Sequence, residues 1–137
     1  MHDEPIWLTF EDVRRIHDEE LRLFGGLAGL KDANLVHSAI AAPRNTFLYE
    51  GREDVLFLAV KLCLALATNH GFADGNKRTA TAAMVEFLLI NGYDLALPDD
   101  ESDTPVLGRW VEGLVRGELT VDELRSLLRP YVVPRDY

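Results

Sequence analysis

Between His70 and Arg78 the chain places an imidazole, a carboxylate, an amide, an ammonium and a guanidinium in the run HGFADGNKR. Groups of these types at this spacing suit the transfer of a phosphoryl or nucleotidyl group. Lys77 and Arg78 fall in the first turn of a helix expected to start near Asn76. Cations there oppose the helix dipole by roughly 0.3–1 kcal/mol each. Free backbone N–H groups at the same place, loosened by Gly75, form a donor nest suited to phosphate, so a bound polyphosphate would supply the missing negative charge. Asp74 is a hard oxygen ligand beside that nest, suited to holding Mg²⁺ against the phosphates. His70, just upstream, is placed to take a proton from an attacking hydroxyl. A plain helix–helix turn would also use Gly71, Asp74, Gly75 and Asn76; the two cations are what favour chemistry, with Phe72 as the apolar anchor of the loop in either case. A Walker A loop is excluded, because the position five after Gly71 is Asn76, Lys77 is followed by Arg78, and a helix precedes the loop.

Two elements must hold this loop. From Val55 to Ala67 only Lys61 is charged, and from Thr79 to Ile90 only Glu86 is. Helices apolar on nearly all sides belong at the centre of a fold, so a third helix over about 54–69 and a fourth over about 76–91 form the central pair, with Gly92 ending the latter. Around them the pattern predicts a first helix from the N-cap Thr9 to about Leu23 and a second from Asp32 to Ala42, stopped by Pro43. A fifth starts at Pro105 and runs to about Arg116. A sixth follows the capping-box sequence TVDE at Thr120–Glu123 and is closed by Pro130. The segment PRNTFLYEGRE, from Pro43 to Glu53, fits neither period and reads as a loop or short hairpin, and YDLAL as a short extended piece. The fold class is all-α, with about six helices.

The 137 residues, 47% of them hydrophobic, suit one domain spanning 1–137. Lys and Arg number 14 against 23 Asp and Glu, a net charge of -9, which argues against direct nucleic-acid binding and leaves room for a basic partner. Cys63 stands alone, so no intrachain disulfide or cysteine zinc site forms. The longest apolar run is too short for a bilayer, and the acidic start MHDEPIW lacks a signal-peptide pattern, so no membrane association and a cytoplasmic location are expected. His17 and His37 have no ligand partners at metal-binding spacing and read as structural. Trp7 and Trp110 read as packing residues, and Arg14, Arg15 and Arg52 as solvated.

HGFADGNKRTA, from His70 to Ala80, resembles the signature of the Fic/Doc superfamily, whose general form is HxFx(D/E)GNGRxxR. The Doc (death-on-curing) branch carries Lys in place of the second glycine of that form, as Lys77 does here. The segments LTFEDVRRIHDEELRLFGG, AGLKDANLVHSAIAAPRN, FLLINGYDL and GELTVDELRSLL are similar to Doc-branch segments in Doc-branch order, so the resemblance covers nearly the whole chain. It implies a Fic/Doc fold with the motif loop between two central helices and transfer from ATP to a protein hydroxyl. In that scheme His70 is the general base, Asp74 the Mg²⁺ residue, Gly75 and Asn76 the anion nest, and Lys77 and Arg78 phosphate contacts.

Fic enzymes that transfer AMP have glycine where Lys77 stands and a second Arg where Thr81 stands. A lysine at the nest obstructs the usual placement of the phosphates, and the second Arg would have clamped them. The Doc branch shares both departures. The resemblance therefore implies a kinase toxin that moves the γ-phosphate of ATP to a threonine of elongation factor Tu, halts translation, and is restrained by an antitoxin. AMP transfer is the alternative, and a non-catalytic binding module a third. TFLYEG, Thr46 to Gly51, matches the string [S/T]xxxE[G/N] of the self-inhibitory helix that some Fic proteins carry. It lies where the family places a substrate-docking flap, and flap is the preferred reading, with Phe47, Leu48 and Tyr49 as candidates to line a groove for substrate or antitoxin.

Overall fold

The computed structural model describes residues 3–98 and 105–135. The described residues form α1 (Phe10–Phe24), α2 (Ala33–Glu50), α3 (Val55–Asn69), α4 (Asn76–Ile90), β1 (Tyr93–Leu95), α5 (Val106–Val115), α6 (Val121–Leu128), a 3₁₀ turn (Arg129–Tyr131) and β2 (Val132–Pro134). Two helix starts are set by reciprocal caps. Thr9 Oγ1 accepts the Asp12 N–H at 3.1 Å while Asp12 Oδ2 accepts the Thr9 N–H at 2.8 Å, and Thr120 and Glu123 repeat the arrangement for α6. Asp32 and Asp54 cap α2 and α3 through the N–H groups of Asn34 and Leu56.

α3 is the axis of the molecule. It packs most extensively on α4 and α2 and also touches α5 and α6. Leu56 through Val60, Leu62, Cys63, Leu66 and Ala67 are all buried, which accounts for its apolar character on almost every side. Burial also pushes the Cys63 thiol up to about 12, so it packs as a hydrophobe rather than reacting. α4 is more one-sided. Ala80, Ala83, Met84, Phe87 and Leu88 are buried, whereas Ala82, Val85 and Leu89 line a groove shared with α1 and α5. The only sheet among the described residues is the antiparallel pair β1–β2, in register Tyr93↔Pro134, Asp94↔Val133 and Leu95↔Val132. No helix among the described residues is long and apolar enough to cross a membrane.

One expectation is corrected. Pro43 does not end α2; the helix runs through it to Glu50 and stops at Gly51, whose φ of 68° is left-handed. An interior proline removes one backbone hydrogen bond and costs about 3 kcal/mol. Tertiary packing offsets that cost. Pro43 and Thr46 are buried, Thr46 Oγ1 donates to the Ala42 carbonyl at 3.1 Å, and Phe47 meets the edge of Trp7 at 5.8 Å. Residues 43–50 are thus helix, not hairpin. Phe47 packs on the core, while Leu48 and Tyr49 are 52% and 83% exposed.

Candidate functional site

The turn from α3 into α4 is tight because its two ends use unusual backbone. His70 closes α3 with φ 54° and ψ 45°, the one non-glycine residue with positive φ among the described residues, and Gly75 opens α4 with φ 74° and ψ 20°. Between them Phe72 is buried, and Asn76 clips the loop shut from inside. Its Oδ1 accepts the Phe72 N–H at 3.1 Å and its Nδ2 donates to the Phe72 carbonyl at 3.0 Å. The Asn76 side chain is therefore spent on the loop, which leaves its backbone N–H for a ligand. The N–H groups of a helix's first turn have no intrahelical partner, and in α4 no side chain caps them.

All six residues singled out in the sequence line one cleft. His70, Asp74, Gly75, Asn76, Lys77 and Arg78, with Ala67 and Ala73, surround a space of about 350 Å³. The exposed His70 imidazole makes no side-chain hydrogen bond to a described residue. Asp74 is more constrained. Its Oδ2 accepts the Leu27 N–H at 3.1 Å and its Oδ1 the Gly75 N–H at 2.8 Å. Those two bonds, with the nearby Arg78 guanidinium, hold its carboxyl below the ordinary aspartate value. Each oxygen keeps a lone pair for a further partner. Among the described residues no cluster of three or more His, Cys, Asp or Glu could cage a metal. A single carboxylate nevertheless fits Mg²⁺, which is commonly held by one or two carboxylates together with substrate phosphates.

The two cations have protein partners. Lys77 Nζ donates to Glu112 Oε2 of α5 at 2.7 Å, and Arg116 takes the other oxygen at 3.1 Å. Lys77 in turn holds the Glu112 carboxyl below its ordinary value. Arg78 Nη2 donates to the Gly25 carbonyl at 2.9 Å, with its guanidinium carbon 5.6 Å from the centre of the Phe24 ring. The charge that offsets Lys77 in the free protein is thus Glu112, and a phosphate entering the nest competes with it.

Sequence reasoning missed the segment that braces the loop from outside. Residues 25–32 run alongside it and are joined to it by backbone hydrogen bonds and one antiparallel bridge. Ala73 N–H donates to Gly29 O at 3.0 Å, the N–H groups of Lys31 and Asp32 donate to Gly71 O at 2.9 and 3.0 Å, and Leu30 forms a bridge with Phe72. Gly26 permits the approach: its φ is 124°, and a Cβ there would lie 2.7 Å from Asp74 Oδ2. On the other side Gly71 sits against Val36 of α2, where a Cβ would collide with the valine side chain. The glycine-rich run GGLAGL was the available signal, but glycines announce a turn without saying what it lies against. His17 and Glu112 were also missed as neighbours of the site.

The string TFLYEG lies at the wrong end of its helix to act on this cleft in cis. α2 meets the loop near its N-terminus, where Asn69 Nδ2 donates to Leu35 O at 3.1 Å. Glu50 is the last residue of that helix, about 20 Å farther along at 1.5 Å per residue.

A family model described as the Fic/DOC family matches residues 7–88. Two curated proteins are similar over longer or shorter stretches. "Protein kinase doc" of Escherichia phage P1 is 29% identical over 119 residues, covering 87% of this chain and 90% of that protein. "Toxin Doc" of Mycolicibacterium smegmatis is 41% identical over 78 residues, covering 56% of this chain and 60% of that protein.

Proposed function

The chain belongs to the Fic/DOC family, and from that premise we propose that it is the toxin of a toxin–antitoxin pair, a Doc-like kinase that acts in the cytoplasm. It transfers the γ-phosphate of ATP to a threonine hydroxyl of a translation protein, with elongation factor Tu as the expected target. The observation that carries this reading is the convergence of His70, Asp74, Gly75, Asn76, Lys77 and Arg78 on one cleft. The names of the two relatives, a kinase and a toxin, support it.

The roles follow from chemistry and position. His70 takes the proton of the threonine hydroxyl; the hydroxyl oxygen bonds to the γ-phosphorus as the bond to the β–γ bridging oxygen breaks, leaving ADP and phosphothreonine. The unpaired N–H groups at the start of α4 hold phosphate oxygens, with Lys77 and Arg78 adding charge. Mg²⁺, when bound, neutralises phosphate charge, and Asp74 is the residue that would hold it. Lys77 and Thr81 stand where AMP-transferring relatives carry glycine and arginine, which favours the kinase outcome. Leu23, Phe24 and Leu27 are exposed on the α1 end and the adjoining segment, an apolar rim suited to a protein substrate rather than a small alcohol. The groove of about 640 Å³ between α1, α4 and α5 is lined by Phe24, Val85, Leu89 and Val111 and shares Lys77 and Arg78 with the cleft. An antitoxin segment lying there would reach both cations.

The test uses ATP labelled separately at the α- and γ-phosphates, with purified elongation factor Tu and the intact chain. Label arriving from the γ-position only, and falling by roughly 10²–10⁴-fold in His70→Ala, is the expected result. Label from the α-position would replace the kinase by AMP transfer. No label from either, with a folded protein, would leave a binding module.

A further inference from the structure

His17 has no part in the transfer chemistry above, yet it is the side chain that supports the motif loop from behind. It projects from α1 and is 2% exposed. Its Nε2 lies 2.8 Å from the Asp74 carbonyl oxygen. A carbonyl only accepts, so the ring donates from Nε2. Nδ1 faces the Asp18 carboxylate at 4.0 Å. The ring also lies flat on Phe72, with centroids 3.9 Å apart and planes 10° apart.

The hydrogen bonds converge on one peptide unit. The carbonyl of the Asp74–Gly75 peptide is held by His17, and its N–H is held by Asp74 Oδ1 at 2.8 Å. A peptide followed by a left-handed glycine turns over at little steric cost. Were it to turn over, the Asp74 carboxylate would lose its Gly75 donor, and the first N–H groups of α4 would change aim. An apolar side chain could fill the same space and keep the ring stack, but only a donor can hold the carbonyl. We propose that His17 is a positioning residue: it locks the Asp74–Gly75 peptide plane, and through it the Asp74 carboxylate and the first turn of α4, in the orientation the reaction uses. The consequence for catalysis rests on the kinase reading; the locking itself does not.

Two variants separate the donor from the filler. His17→Phe keeps the stack and loses the donor, and His17→Gln places an amide N–H close to the position of Nε2. Amide hydrogen exchange is read at Leu27 and Gly75, the two N–H groups bound to Asp74, against amides of α3. The expected result is exchange faster by about 10-fold or more at those two sites in His17→Phe, with α3 unchanged, and near-normal exchange in His17→Gln. kcat for γ-phosphate transfer should follow the same order while KM for the protein substrate stays level. Unchanged exchange at Leu27 and Gly75 would overturn the proposal. So would equal acceleration throughout α3, which marks a general loss of stability, or failure of glutamine to restore the pattern. The wild-type protein supplies a check that needs no variant: nitrogen NMR should find a proton on His17 Nε2, and a ring protonated at Nδ1 alone would overturn the assignment. A wild-type chain without transfer activity would count against the kinase reading, and the exchange pattern would still decide the role of His17.

Discussion

Gly26 and Gly29 form a matched pair for measuring how closely the 25–32 segment is fitted to Asp74. Their φ values are 124° and 127°, a region that side chains rarely adopt, so alanine at either place carries backbone strain of about 1–3 kcal/mol. The surroundings differ. A Cβ at Gly29 meets nothing within 4 Å, whereas at Gly26 it would lie 2.7 Å from Asp74 Oδ2, 3.0 Å from Leu21 Cδ2 and 3.2 Å from Arg78 Nη2. The leucine and arginine tips can swing aside. Asp74 is tied to the Leu27 N–H at 3.1 Å, so retreating from 2.7 Å to an ordinary contact of 3.4 Å strains or breaks that bond. Overpacking of this kind adds about 1–3 kcal/mol. Gly26→Ala should therefore be less stable than Gly29→Ala by that margin, which is about 1 M in urea midpoint for a small protein. Denaturation followed by tryptophan fluorescence reads the stability, and γ-label transfer reads the site. Gly29→Ala should retain transfer in proportion to its folded fraction, while Gly26→Ala should lose it even where fully folded. Equal midpoints and equal activities in the two variants would refute the close fit between this segment and the carboxylate.

Other consequences concern the two ends of the loop. His70 holds a left-handed conformation that costs an L-residue roughly 1–2 kcal/mol. His70→Gly should therefore abolish transfer while leaving the thermal midpoint unchanged or higher, and a large fall in the midpoint would show that the imidazole helps hold the fold. Asp74 has a depressed folded-state value, so its ionised form stabilises the fold above the unfolded-state value, and this contribution is lost as pH falls through the folded one. An NMR titration should place its midpoint below the ordinary 3.8, and Gly26→Ala should move it back upward; a midpoint at or above 3.8 in the wild type would contradict the hydrogen bonding described.

The elements most legible in the sequence were those decided by neighbouring residues. The apolar runs of α3 and α4, the cap at Thr9, the capping box at Thr120 and the turn chemistry of HGFADGN each depend on groups a few positions apart. α2 escaped that kind of reading because the local effect of Pro43 was outweighed by the burial of Pro43 and Thr46 and by the packing of Phe47 on Trp7, a residue remote in the chain. The candidate site divides in the same way. Its six residues lie within one short run and could be read directly, but what aims them comes from afar: Leu27 holds Asp74, Gly29 and Lys31 bond to the loop backbone, and His17 holds a carbonyl. Lys77 was read as lacking an anion because its partner, Glu112, lies on a helix that nothing in the motif points to.

That last pair gives α5 a lever over the charge of the cleft. The family model covers residues 7–88, which contain every residue lining the cleft, while Glu112 lies beyond that stretch. A single carboxylate from the remainder of the chain thus partners one of the two cations that line the cleft. Neutralising position 112 would remove the carboxylate that pairs with Lys77. The charge offered to an anion can in this way be adjusted from a helix outside the motif.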